Sequence, residues 1–346
     1  MAAAAQVSNA SEVATSPKAA VAADGPSTAD FVLRPVAPCD REACAEIAAV
    51  TYGGHDYLVT AIETWMADTA KNTALCLAHP ETNRLAAIEN LTRIDDGETG
   101  WVEGLRTHPD WRGRGLASRL HKELVAVAVA ESEDPAKPLR RLRYTTRADN
   151  LVSLRLAEAA GMSVVDSWGF AFQPLDERLC DKLDSARSPG SGGPELLHEL
   201  TMEEAVAHCE GPTGDRLSTS KFVTIDWKVL QTVGRARRVL QGLRDSHDTV
   251  FAGGDGAFSL GQKRPDATTT SWFVTVYAAE DADAALRHIA WHVARAAENG
   301  ATAVMLFYNE ALIRELGPEG RGVFVADVFS GAPKAVMVER ELRATE

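Results

Sequence analysis

The sequence predicts an α/β fold on a mixed (α+β) sheet, and three observations carry that prediction. Thr99–Thr107 alternates and is rich in β formers; Leu116, Leu120, Leu124, Val127 and Ala128 recur at helical spacing; and Arg112-Gly113-Arg114-Gly115-Leu116-Ala117 lies between them. A strand, a turn (His108-Pro109-Asp110-Trp111), a glycine loop and an amphipathic helix therefore follow one another, the helix starting inside the loop.

The elements before it fall in a regular order. Phe31–Pro35 reads as the first strand, and Asp40 is placed to cap a helix over Arg41–Val50. Thr51–Leu58 is a loop and Ile62–Met66 a short helix. Strands follow at Thr73–Ala78 and Leu85–Arg93, the first ended by His79-Pro80, and Asp95-Asp96-Gly97 makes the next turn. Gly104 stands where a bulge would splay the central strand. Beyond the glycine helix come a strand at Leu142–Thr146, a helix from Asn150 to Ala160 with Gly161 as its C-terminal cap, and the last strands over Met162–Phe172.

The glycine loop is a cradle for a pyrophosphate. Gly113 and Gly115 allow close backbone approach, the first turn of the helix presents N–H groups and the positive end of the macrodipole, and Arg112 and Arg114 add charge.

A chain of 346 residues suits two domains. Residues 1–30, rich in Ala, Ser and Thr, are expected to be a disordered tail; with one Lys, no Arg and three acids they lack a transit-peptide composition. A first domain is expected over 31–180, a Ser-, Gly- and Pro-rich linker over 181–194, and a second domain over 195–346. Five scattered cysteines and the absence of a membrane-length apolar run point to a reduced, cytoplasmic setting without a membrane. A net charge of −13 argues against nucleic acid as a partner.

In the second half, Thr201 and Glu204 have capping-box spacing, Lys221–Leu230 is a mixed apolar stretch, and Val233–Leu243 is helical. A strand (Trp272–Ala278), a long helix (Ala282–Glu298), a strand (Ala303–Tyr308), a helix (Glu310–Leu316) and a strand (Val323–Phe329) follow. This repeats the order of the first half without its glycine loop; Ala279-Glu280-Asp281 stands in that place, and its carboxylates would repel a phosphate.

The match at Arg112, Gly115 and Ala117 resembles the acetyl-CoA signature R/Q-x-x-G-x-G/A of the GNAT superfamily of N-acetyltransferases. Asn150-x-x-Ser153-x-x-Leu156, then Gly161-Met162, resembles its second signature, in which the Asn side chain helps hold the pantetheine end. Tyr52-Gly53-Gly54-His55-Asp56-Tyr57-Leu58, Ile88-Glu89, Asp96–Thr99 and Val102–Arg106, with a diffuse likeness around Ile225-Asp226-Trp227, resemble the histidine N-acetyltransferase-like family. The resemblance implies the GNAT acyl-CoA N-acyltransferase fold followed by a degenerate GNAT-like domain. It implies acetyl-CoA as cosubstrate, held by Leu105, Arg106, Thr107, Arg112, Gly113, Arg114, Gly115, Leu116, Ala117, Asn150 and Ser153, and a small-molecule amine, histidine first, as acceptor. One departure stands out: Ala157 occupies the position where many members carry a tyrosine general acid.

Acyl transfer to an amine needs a base, an oxyanion stabiliser and a proton for the leaving thiolate. Glu103 on the central strand is the first choice for the base and Glu89 on its neighbour the second; strand alternation can instead turn either to solvent. Tyr52, Asp56 and Tyr57 are candidate substrate contacts, with an ordinary helix-connecting turn as the competing reading. Arg106 or this loop can meet a substrate carboxylate. Tyr144, Tyr52, Tyr57 or a water can supply the proton in place of residue 157.

His288 and His292, one helical turn apart, lack a third ligand, so no metal is expected. Gly253-Gly254-Asp255-Gly256 lacks the Lys of a phosphate loop. Arg140-Arg141-Leu142-Arg143 reads as a solvated strand edge before it reads as a phosphate site. Two other functions stay open: a protein, peptide or polyamine acetyltransferase, and a non-catalytic acyl-CoA-binding protein.

Overall fold

The computed structural model describes residues 26–54, 56–134, 139–186, 190, 192–210, 222–225, 227–254, 256–265, 270–278, 282–308 and 334–342. Its chain forms two compact units, one of residues 1–69, 73–90 and 104–124, the other of residues 70–72, 91–103 and 125–346.

In the first unit, β1 (Val32–Pro35) runs antiparallel to β2 (Asn72–Ala78), with Val32 opposite Ala78, and β3 (Leu85–Ile94) and the end of β4 (Thr99–Thr107) continue the sheet in that order. Helices α1 (Arg41–Ala49) and α2 (Leu58–Ala67) cover one face. Their Cys44, Ile47, Leu58, Ile62 and Trp65 pack with Cys76, Leu85 and Ile88. Each such large apolar side chain taken fully out of water contributes about 1.5–3 kcal/mol. Helix α3 (Leu116–Ser132) buries Leu116, Leu120 and Leu124 as its spacing predicts. Helix α2 starts at Leu58, four residues before the predicted Ile62; Tyr57 flanks its start, and just outside it Asp56 Oδ1 accepts the Leu58 N–H at 3.0 Å. Asp40 differs from its predicted role. Its carboxylate is taken by Arg34 and by the Ala37 N–H, all at 2.8 Å, and makes no side-chain cap on α1. Within the segment read as a tail, 1–25 lie outside the described residues, whereas Thr28 is held by Arg114 and Arg119.

The second unit begins with the start of β4, parallel to β5 (Arg141–Arg147) over Thr99–Trp101. The sheet then runs β14 (Lys334–Glu341), β6 (Ser163–Pro174), β13 (Ala303–Tyr308), β12 (Thr270–Ala278), β11 (Phe258–Pro265), β10 (Val250–Gly253) and β7 (His198–Glu199). The C-terminal strand β14 therefore lies between β5 and β6 and is antiparallel to both, and β13 pairs with β6, so strands from the two sequence halves share one ladder. Helix α4 (Leu151–Ala159) links β5 to β6 and α5 (Glu177–Ala186) follows β6. Helix α6 (Met202–Glu210) opens on the predicted capping box: Thr201 N–H donates to Glu204 Oε2 at 2.8 Å, and Glu204 N–H to Thr201 Oγ1 at 3.3 Å.

The hairpin β8 (Phe222–Ile225) and β9 (Lys228–Gln231) makes a separate small sheet, with Trp227 in the left-handed region at its turn. It is fixed to the Asp95 turn, whose Oδ1 accepts the Gln231 N–H at 2.8 Å. Helix α7 (Ala236–His247) starts and ends a few residues later than predicted. Helix α8 (Ala282–Glu298) connects β12 to its parallel neighbour β13 and buries Leu286, Ile289 and Val293 against Val274, Val304 and Leu306. The helix expected at Glu310–Leu316, the strand at Val323–Phe329, and Ala279–Asp281, Asp226 and His55 lie outside the described residues.

Candidate active site

The glycine loop is built by β4 and α3. At Gly104 the strand turns to φ +75°, and a Cβ there would lie 2.4 Å from Trp65 Cη2, so only glycine fits at this position. The β4–β5 ladder ends with Trp101 opposite Arg143. At the strand end, the His108 N–H donates to Ala86 O at 2.8 Å, and the His108 ring accepts the Asp110 N–H and lies 2.7 Å from Glu46. Arg112 is exposed, its Nε donating to Thr107 O at 3.2 Å. Gly113 and Gly115 have φ of +77° and +78°, Leu116 is buried as an anchor, and the helix opens with Arg119 N–H on Gly115 O at 3.1 Å. The first N–H groups of α3 have no acceptor within the helix, which leaves a ring of donors at its positive end. Thr28 Oγ1 donates to Arg114 O, and Arg119 donates to Thr28 O and, at 2.8 Å, to Phe31 O. The segment before β1 thus braces the loop.

The two predicted carboxylates stand in different surroundings. Ile88 packs under α1 and α2, so Glu89, one residue on, points to the α3 face. There it is 1% exposed, its Oε1 is 2.8 Å from His121 Nδ1, and its Oε2 has no hydrogen-bond partner among the described residues. Burial pushes the Glu89 carboxyl above its ordinary range against the pull of His121. Burial pulls the His121 imidazolium down, but the bond and charge of Glu89 outweigh it and hold it above its usual value. Glu103, in the second unit, is 16% exposed at its side chain. Thr92 Oγ1 lies 2.6 Å from Glu103 Oε1 and 2.8 Å from Asn72 Oδ1, and Lys228 Nζ lies 3.8 Å from Glu103 Oε2.

Tyr52, Asp56 and Tyr57 come together on Arg106. The Asp56 carboxylate is sealed from solvent and pairs with Arg106 Nε at 2.6 Å, while the guanidinium carbon stands 5.2 Å from the Tyr52 ring and 5.8 Å from that of Tyr57. Arg106 Nη1 also donates to Leu105 O at 3.0 Å. Asp56 is thus engaged with an arginine and with the Leu58 N–H, and the Leu105 and Thr107 carbonyls are both taken by arginines.

Asn150 and Ser153 also meet. Asn150 Oδ1 accepts the Ser153 N–H at 3.2 Å as the cap of α4, and Tyr144 Oη donates to Ser153 O at 2.8 Å and lies 3.3 Å from Ser153 Oγ. Ala157 is buried. Arg141–Arg143 is not a solvated edge, because β5 lies between β4 and β14, whereas Arg140, just before β5, is exposed. Arg143 is fully buried against Glu339 and Asp95, and Arg141 donates to Gln231 at 2.7 Å. His288 Nδ1 and His292 Nε2 lie 2.5 and 2.9 Å from Ser259 Oγ, all three buried. Among the described residues no group of three or more His, Cys, Asp or Glu is placed to hold a metal ion, and no helix is long and apolar enough to cross a membrane.

Sequence reasoning missed His121, Thr92 and Lys228. A signal for the first existed, since Glu89 interrupts the apolar run Leu85–Ile88 and a buried carboxylate demands a partner. Lys228 reaches Glu103 across more than a hundred residues, and nothing local announces it.

The acetyltransferase (GNAT) family model matches residues 42–162. A histidine N-acetyltransferase of Oreochromis niloticus is 39% identical over 100 residues, which is 29% of this chain and 27% of that protein. One of Xenopus tropicalis is 28% identical over 207 residues, 59% of this chain and 60% of that protein. The chain thus matches from about a quarter to three fifths of the length of these relatives. Among solved structures, a GCN5-related N-acetyltransferase from Sphaerobacter thermophilus has TM-score 0.55 at 17% identity, with 91% of this chain and 96% of that one covered. A tandem GNAT protein from the clavulanic acid biosynthesis pathway has TM-score 0.53 at 15% identity, with 91% and 100% covered. At such identities these two likenesses establish the fold.

Proposed function

We propose, from the premise that residues 42–162 are an acetyltransferase (GNAT) domain, that the chain transfers acetyl from acetyl-CoA to the α-amine of a free amino acid, L-histidine first. The observation that carries this reading is the pair of left-handed glycines, Gly113 and Gly115, at the threshold of α3. Among the described residues a Cβ on Gly113 would meet nothing within 4 Å, which leaves that position of the loop room for a ligand. Backbone donors, a helix N-terminus and the exposed Arg112 fit a pyrophosphate, and the sequence resemblance is what assigns the pantetheine end to Asn150 and Ser153. Bound acetyl-CoA supplies the acyl group as a thioester.

The chain's own residues supply the rest. An α-ammonium is mostly protonated at neutral pH and must lose its proton to attack. Glu89 is enclosed against His121, which leaves Glu103 as the base, directly or through one water. Attack is direct, with cosubstrate and acceptor bound together. With alanine at 157, we assign the proton for the departing thiolate to Tyr144 or to water. The relatives named histidine N-acetyltransferase support histidine as the acceptor to test first.

The test is coenzyme A release by the purified chain with acetyl-CoA against free amino acids, polyamines and a lysine-bearing peptide. Selective turnover of histidine supports the reading. Turnover of peptide or polyamine alone keeps the chemistry and discards the acceptor class. Tight acetyl-CoA binding with no turnover replaces the reading with a non-catalytic acyl-CoA-binding protein.

A further inference from the structure

A free α-amino acid carries its ammonium and its carboxylate on one carbon, so a site that recognises it needs an anion and a cation a few ångströms apart. A peptide acceptor brings no carboxylate beside its reacting amine, and a polyamine brings a second cation, which a cation in the site would repel. The surroundings of Glu103 have the first pattern. Lys228 Nζ, from the first residue of β9, lies 3.8 Å from Glu103 Oε2, with the lysine side chain one third exposed. Thr92 Oγ1, 2.6 Å from Glu103 Oε1, fixes the carboxylate from the other side. The anion comes from the GNAT domain and the cation from the C-terminal half of the sequence, and Thr92, Glu103 and Lys228 belong to one compact unit. Arg106, the other arginine near a candidate acceptor contact, already has its charge matched by the sealed carboxylate of Asp56 at 2.6 Å.

We infer that Lys228 receives the acceptor's carboxylate while Glu103 receives its ammonium, so that the C-terminal half makes the site selective for free α-amino acids. The inference rests on the reading of Glu103 as the base. It gives that half a specificity role, with Lys228 as the residue that distinguishes an amino acid from the same molecule without its negative charge.

The experiment compares L-histidine with L-histidinamide, which keeps the α-amine and imidazole and loses the carboxylate charge. It measures kcat/KM for both on the wild-type chain, Lys228→Met and Lys228→Arg. The ratio of the two substrates within each protein is then compared across proteins, which cancels the intrinsic reactivities of the two amines. The wild type is expected to favour histidine, and Lys228→Met to reduce that preference about tenfold or more, mainly through KM for histidine, as for loss of a hydrogen bond to a charged group. Lys228→Arg restores the preference. An unchanged ratio in Lys228→Met overturns the assignment of Lys228 while the N-acetyltransferase reading stands. A wild type that uses histidinamide as well as histidine overturns carboxylate recognition altogether. Absence of turnover with any free amino acid, amide, peptide or polyamine overturns the proposed activity and this inference with it.

Discussion

Arg143 and Glu339 stand 196 residues apart in the chain and directly opposite each other in the β5–β14 ladder, with Arg143 Nε donating to Glu339 Oε2 at 2.7 Å. The arginine is fully buried, lies 3.3 Å from Asp95 Oδ2 and stacks over Phe222 at 4.6 Å. A buried charge left with no partner costs about 3–5 kcal/mol, and Asp95 remains beside Arg143 when Glu339 is removed. Glu339→Ala is therefore expected to lower stability by less than about 3–5 kcal/mol, read from the urea midpoint at constant m-value. A chain ended after residue 194 loses β13 and β14 together, exposes the edges of β5 and β6, and is expected to aggregate. A soluble, cooperatively folding fragment would show instead that the first half folds alone.

Glu103 and Glu89 can be told apart by what their loss damages. Glu103→Gln keeps the shape but not the basicity, and is expected to lower kcat by about 10²–10⁴-fold with acetyl-CoA affinity kept. Glu89→Gln removes a buried charge from His121 and is expected to change stability by about 1–3 kcal/mol while kcat is retained. Arg112→Ala should do the reverse of Glu103→Gln, weakening acetyl-CoA binding more than turnover. Equal loss of kcat in both glutamine variants would mean that the Glu89–His121 pair takes part in the chemistry.

The glycine loop was legible because its physics is local: two residues that tolerate positive φ, a helix periodicity that starts inside them, and a strand just before. Gly104, the capping box at Thr201 and Glu204, and the Asn150 cap were legible for the same reason. The place of β14 was not, since a strand inserted between β5 and β6 from almost two hundred residues away leaves no mark in either strand's own pattern. Arg140–Arg143 misled for the complementary reason. Charge suggests an exposed edge, and only the buried partners Asp95 and Glu339, supplied from distant segments, make an interior position tolerable. The pairing of Asp56 with Arg106 was not legible either, because the two lie 50 residues apart, where sequence spacing carries no information about contact.

Gly104 and Gly113 share a left-handed backbone but differ in their neighbours. Alanine at Gly113 meets open space, so its cost is the conformational one, about 1–2 kcal/mol, with the loop itself disturbed. Alanine at Gly104 pays that and also drives its methyl into the Trp65 ring, where Trp65 is itself 4% exposed and cannot give way. Gly104→Ala is thus expected to be the more destabilising of the two in thermal melts, and Gly113→Ala to show mainly as weaker acetyl-CoA binding by calorimetry. Equal melting points for the two variants would contradict the crowding of Gly104 by Trp65 as described.

His292 sets an acid limit on stability. Burial, reinforced by the charges of His288 and Arg295, holds its imidazole well below the ordinary 6.5, so the folded chain keeps it neutral beside Ser259. Below about pH 6.5 the unfolded chain takes up a proton that the folded chain refuses. Stability is therefore lost as pH falls through the unfolded value, by up to about 1.4 kcal/mol per pH unit, until the folded pKa is reached. Glu89 and His121, both raised, act in the opposite sense, but they are common to the wild type and a His292→Gln variant and cancel in the difference. The stability gap between these two proteins, measured by urea unfolding at pH 7.5 and 5.5, is expected to narrow by about 1 kcal/mol or more at the lower pH. A gap independent of pH would mean that His292 is protonated alike in both states, and the neutral imidazole beside Ser259 would have to be abandoned.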